Sequence, residues 1–298
     1  MAVYKKTYTR WEGAPTREWS RFSVLTRYAF EDMRRKRILT IILLASCFWP
    51  LLCAGAIYLH HNLSALKLLE IDPSRIIPID SKFFLFFLGV QSMFAFFLTA
   101  FVGPGLISPD LTNNALPTYL ARPFSRAEYV FGKMAVLLIL LSNVTWVPGL
   151  VLVTLQSYLS EGWFWENKRI AAGLFVGSMV WILVLSLLAL ALSAWVKWKP
   201  VAGALMFGTF FVMGAFGGAI NEILRTRWGN LLNISHLIGA IWVSLFEEPM
   251  RRGAGAAFFR VARATEIPVW CCWVSLGVIC GVCLWMLSKK IRGFEVVK

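Results

Sequence analysis

Six apolar runs of twenty residues or more, none containing Asp, Glu, Lys or Arg, constrain this chain more than any motif. They are Ile38–Leu59, Phe83–Ile107, Met134–Tyr158, Ile170–Val196, Val201–Ile220 and Pro268–Leu287. Crossing about 30 Å of hydrocarbon takes roughly 20 apolar residues as a helix, and an open strand cannot satisfy its backbone there. The expectation is an all-α polytopic membrane protein with six transmembrane helices. The first run starts too far from Met1, and lacks the small-residue site, to be a cleaved signal peptide. Composition agrees: 58% of residues are hydrophobic and 15% charged, against roughly a quarter charged in soluble domains.

Basic residues set the expected orientation. Ten precede the first run (Lys5, Lys6, Arg10, Arg17, Arg21, Arg27, Arg34, Arg35, Lys36, Arg37), and Lys289, Lys290, Arg292 and Lys298 follow the last. The first loop has Lys67, Arg75 and Lys82, and the 159–169 loop has Lys168 and Arg169. An even number of spans with two basic ends places both termini in the cytoplasm. The net charge of +14 then reports contact with anionic lipid rather than nucleic acid.

Three regions follow: a cytoplasmic segment 1–37, a six-span domain 38–288 and a cytoplasmic tail 289–298. Within the first, Trp19, Phe22, Leu25, Tyr28, Ala29 and Met33 recur at helical spacing among arginines. That pattern fits an N-terminal interfacial amphipathic helix over Thr16–Arg37, or a plain positive flank. Gly173-x-x-x-Gly177, Gly214-x-x-x-Gly218 and Gly277-x-x-x-Gly281 have the spacing that lets helices approach closely. Leu231–Phe246, in the long 221–267 loop, is too short to span and reads as a helix lying on or dipping into the membrane.

Catalytic signatures do not emerge. Gly132-Lys133 lacks the rest of a phosphate-binding loop, and no H-E-x-x-H, G-x-S-x-G or paired surface carboxylates occur. The six cysteines lie in or beside apolar runs and read as packing, with no metal or cofactor implied. Ion-coupled carriers place ionisable residues inside their spans. These spans have none, so energy for any transport must come from outside the membrane domain. Gln91, Asn143 and Gln156 are available to a polar cargo, although each also suits a helix–helix hydrogen bond.

One cytoplasmic segment stands apart, between the second and third runs. Asp110 opens it; Leu111, Ala115, Leu116 and Leu120 share a helical face; Arg122-Pro123 breaks the helix. Ser125-Arg126-Ala127-Glu128 has capping-box spacing and starts the next helix. The product is a short helix-turn-helix facing the cytoplasm.

Here the chain resembles the permease subunits of ABC transporters of the type-2 exporter family. The matching residues are Asp110, Leu116, Leu120, Arg122, Pro123, Arg126, Gly132 and Lys133. Asp110 stands where that family commonly has glutamate, and Asn113-Asn114-Ala115 replaces a Gly-Thr-Leu-like run. The resemblance implies a cytoplasmic coupling helix that docks on a separate ATP-binding subunit, present in two copies. Asp110, Arg122 and Arg126 would be polar docking residues, Leu116 and Leu120 apolar ones, and Pro123 would fix the turn. It also implies a second permease chain, identical or not, in a bacterial-type inner membrane, with ATP hydrolysed in the partner and not by this chain. Uncharged spans favour an amphipathic or lipid-like cargo. The alternative is a membrane anchor or scaffold subunit of a larger complex. A membrane-embedded enzyme would need clustered histidines or carboxylates at one depth, which the runs lack.

Overall fold

A computed structural model describes residues 26–28, 30–31, 36–62, 78–113, 126–246 and 267–291, and every regular element among them is helical. Six helical stretches are long and apolar enough to cross a membrane: Arg37–His61, Ser81–Thr112, Arg126–Leu159, Lys168–Trp195, Lys199–Leu224 and Val269–Lys290. They cover the six apolar runs except Val196 and Pro268, which cap helix ends. Of the expected interfacial helix, residues 26–28 and 30–31 are helical, and its beginning lies outside the described residues.

In chain order the helices are α1 (Arg37–His61), α2 (Ser81–Val102), α3 (Pro104–Thr112), α4 (Arg126–Val144) and α5 (Trp146–Leu159). They continue as α6 (Trp163–Glu166), α7 (Lys168–Trp195), α8 (Lys199–Leu224), α9 (Ile234–Leu245) and α10 (Val269–Lys290). A 3-10 turn, Trp228–Leu232, precedes α9.

Prolines decide where the spans break, because each removes one ladder N–H. Pro104 leaves the Ala100 carbonyl without its partner, and α2 gives way to α3 at Gly103. Gly203 of α8 lets that carbonyl approach; a Cβ there would lie 3.2 Å from it. Pro148 does the same to Val144, and the chain leaves helical geometry at Thr145 (φ −100°, ψ −87°). Pro50 deprives the Ser46 carbonyl inside α1. Gln91 of α2 answers: its Nε2 donates to Ser46 O at 3.0 Å, and both residues are buried. Hydrocarbon holds no water to take that place.

The other span amides are engaged too. Gln156 Oε1 lies 3.1 Å from His61 Nε2, tying α5 to α1, and Asn143 Nδ2 donates to Ile139 O of its own helix. Gln91 and Gln156 therefore serve helix packing, while Asn143 is exposed and bonded within its own helix.

α7 is the axis of the bundle. It packs against α2, α3, α4, α5, α8, α9 and α10, while α1 packs on α2 and α5. Trp181 anchors its middle, fully buried, its Nε1 donating to Ser92 O at 3.2 Å. The short apolar segment dips into the protein: Ile234 and His236 to Trp242 of α9 are buried against α7, α8 and α10. Its aromatic residues use the first glycine pair. Trp242 Nε1 donates to Gly177 O at 2.9 Å, and Phe246 lies over Gly173. In the second pair Gly214 meets Asn233, while Gly218 has nothing within 4 Å. Gly277 and Gly281 of α10 also meet nothing within 4 Å. Trp165, Trp195, Trp198, Trp270 and Trp273 are exposed at helix ends, the level at which indole rings settle at a bilayer boundary.

Candidate functional site

The second and third spans are longer than a bilayer needs. Ser81–Thr112 has 32 residues and Arg126–Leu159 has 34, roughly 48 and 51 Å at 1.5 Å per residue against about 30 Å of hydrocarbon. The excess lies on one side. At the other end α2 starts immediately at Asp80, whose Oδ1 accepts from Lys82 N and Phe83 N at 3.0 and 3.2 Å. At the far end the polar residues Ser108, Asp110 and Thr112 close α3, and Arg126, Glu128 and Lys133 open α4. The segment 114–125 is therefore joined at both ends to helical stalks continuous with the spans.

A buried charged clamp joins the stalks. Lys133 Nζ lies 2.8 Å from Asp110 Oδ2, and the Tyr129 hydroxyl donates to the same oxygen at 2.7 Å. The Lys133 and Asp110 side chains are 10% and 15% exposed, and Tyr129 is fully buried. Tyr129 and Lys133 stand four apart on α4, one turn, so they meet a single carboxylate from α3. The ammonium also sits 5.6 Å from the centre of the Tyr129 ring. Beside it, the Thr26 hydroxyl donates to Gly132 O at 3.1 Å, bringing the N-terminal segment onto α4.

A serine knot fixes α3 to the end of α7. Ser193 Oγ donates to Pro104 O at 3.0 Å and accepts from Ser108 N at 3.0 Å and Ile107 N at 3.2 Å. The hydroxyl thus stands between Pro104 O and Ser108 N, a pair that would bond directly in a regular helix. Ser108 Oγ reaches back to Ser193 O at 3.0 Å and Val196 O at 2.7 Å. Gly103 lets the helices touch: a Cβ there would lie 2.5 Å from Ala189 Cβ. Displacement of α3 must therefore move α7 or break this knot.

Of the residues singled out in the sequence, the structure brings Asp110 and Lys133 together and buries Gly132 beside them. Asp110 points into the protein. Arg126 is separate and exposed at the first residue of α4. Leu116, Leu120, Arg122 and Pro123 lie outside the described residues. Sequence reasoning missed Tyr129, Thr26, Ser108 and Ser193. Tyr129 was findable, one turn before Lys133 on the same helix; Ser193 was not, because only the fold brings it to Ser108.

The architecture is that of a polytopic, all-helical integral membrane protein. Neither a scan against protein-family models nor a search of curated proteins returns a match to this chain.

Proposed function

We propose that the chain is the membrane-spanning permease subunit of an ATP-driven ABC exporter. Both termini face the cytoplasm, and segment 108–126 docks a separate ATP-binding subunit. The observation that carries this reading is the pair of overlong helices on the side of that segment, clamped by Asp110, Tyr129 and Lys133. A flexible connection would absorb a push from a partner. A stalk locked to the central helix through Ser108 and Ser193 passes it into the bundle. In this arrangement Asp110 fixes the root of the docking segment from within. Arg122 and Arg126 meet acidic groups of the ATPase, Leu116 and Leu120 supply apolar contact, and Pro123 holds the turn. Two such chains and two ATPase subunits make the transporter, and the cargo is amphipathic or lipid-like, matched to uncharged spans.

The test is charge reversal. Tagged full-length chain purified from its native membrane should carry with it a protein bearing a phosphate-binding loop and no spans of its own. Arg122→Glu with Arg126→Glu should insert at normal levels yet lose that partner, since losing one side of a desolvated charge pair costs roughly 2–5 kcal/mol. Arg251→Glu with Arg252→Glu, in the opposite loop, should retain it. Equal recovery in all three would reduce this segment to a solvated connection, and no such protein recovered with the wild-type chain would reduce the chain to an anchor or scaffold subunit.

A further inference from the structure

Between α4 and α10, floored by α7, runs a cavity of about 480 Å³. Val130 and Met134 form one wall, Leu284 and Leu287 the other, and Leu183 and Leu187 the floor. Its rim is different in kind. Arg126 and Ser288 line it, and Lys289 and Lys290 follow in the last turn of α10. The volume lies in the range that holds one small ligand. From Arg126 to Met134 the groove runs eight residues along α4, about 12 Å at helical rise.

Arg126 carries no ion pair among the described residues. Arg126 lines the groove at the first residue of α4, and Ser288 lines it from α10 with its hydroxyl donating to Trp285 O of its own helix at 2.8 Å. Lys289 sits over the Trp285 ring at 4.1 Å and Lys290 over Trp195 at 5.6 Å, which keeps both ammonium groups at the level of the boundary indoles. An apolar slot closed by fixed positive charge complements one class of molecule in a bilayer. A planar fork suits a phosphodiester, and suits it best where the headgroup carries no cation of its own to oppose it.

We propose that this groove is a binding site for an anionic phospholipid. One acyl chain lies along Leu183 and Leu187, and the headgroup phosphate sits against Arg126, with Lys290 reinforcing the field. Basic pockets between spans are a recurrent way of holding such headgroups. The site shares Arg126 with the ATPase contact of the permease reading but requires no ATPase, so it is tested on the chain purified without that partner. Its placement gives it a consequence: the lipid would brace the foot of α4, next to the Asp110–Lys133 clamp.

Native mass spectrometry of the purified full-length chain tests this directly. Phosphatidylglycerol and phosphatidylcholine with the same acyl chains are offered in turn, and retained lipid is counted. The wild-type chain should prefer phosphatidylglycerol by roughly fivefold, the order expected for one basic residue near an anionic headgroup. Arg126→Gln should abolish the preference and Arg126→Lys should keep most of it. Leu183→Trp, which fills the floor, should reduce retention of both lipids, and Val130→Trp does the same from the wall should the first variant fold poorly. Equal retention of the two lipids by the wild-type chain overturns the proposal. So does an Arg126→Gln variant that still prefers phosphatidylglycerol.

Discussion

Breaking the clamp between α3 and α4 should cost more than removing it whole. At 2.8 Å and an effective dielectric near 20, the gross attraction of Lys133 for Asp110 is about 6 kcal/mol. Desolvation of two side chains only 10% and 15% exposed offsets much of that. Single variants do not share the cancellation. Lys133→Met leaves the Asp110 carboxylate buried with one hydroxyl, and Asp110→Leu leaves a buried ammonium with no counter-charge. Each should lose roughly 3–5 kcal/mol. Tyr129→Phe, which removes one hydrogen bond to a charged group, should lose about 1.5–3 kcal/mol. The double variant Asp110→Leu with Lys133→Met should lose less than either single variant, keeping the cost of the Tyr129 hydroxyl bond that goes with Asp110, about 1.5–3 kcal/mol. The protein carries its own reporter: Cys53, Cys271, Cys272 and Cys283 are free and buried, so a thiol-reactive dye reads exposure on heating. At about 2 °C per kcal/mol for a chain this large, the charged single variants should melt roughly 6–10 °C early. Single losses below about 2 °C, or a double variant showing the sum of both, would refute the buried-pair argument.

Gly177→Ala should destabilise by roughly 1–3 kcal/mol, because the new Cβ would lie 2.9 Å from a Trp242 ring already held by its hydrogen bond. Gly277→Ala and Gly281→Ala, with nothing within 4 Å, should leave the thermal midpoint unchanged or raised. Gln91→Leu should cost about 1–3 kcal/mol by orphaning the Ser46 carbonyl, and the loss should shrink in a Pro50→Ala background, where residue 50 regains the N–H that serves it. His236 is buried on α9, and burial lowers its pKa below the ordinary 6.5. The unfolded chain then binds the proton more readily, so this contribution is full above pH 6.5 and lost as pH falls below it. Melting measured down to pH 5 should decline less steeply in His236→Phe than in the wild-type chain.

The spans were legible because a bilayer imposes a one-dimensional rule. Length and absence of charge decide whether a segment crosses, whatever its neighbours, so Ile38–Leu59 and Val201–Ile220 could be read without knowing what they touch. Asp110 and Lys133 stood out only through the resemblance, Asp110 as a residue docking on a partner, and nothing in the sequence paired the two. Lateral relations follow no such rule. Three glycine pairs share one spacing, yet only Gly173 and Gly177 both receive aromatic side chains, while Gly277 and Gly281 face outward. Pro50 announced a freed carbonyl in the sequence, but nothing near it named Gln91, 41 positions beyond it, as the group that satisfies it. Ser108 and Ser193 read as small residues near helix ends until the fold set them 3.2 Å apart, oxygen to oxygen. Helical rotation and neighbour order determine these contacts, and hydropathy is blind to both. The chain by itself fixed which segments enter the membrane; the packing around α7 decided which face of each one is turned inward.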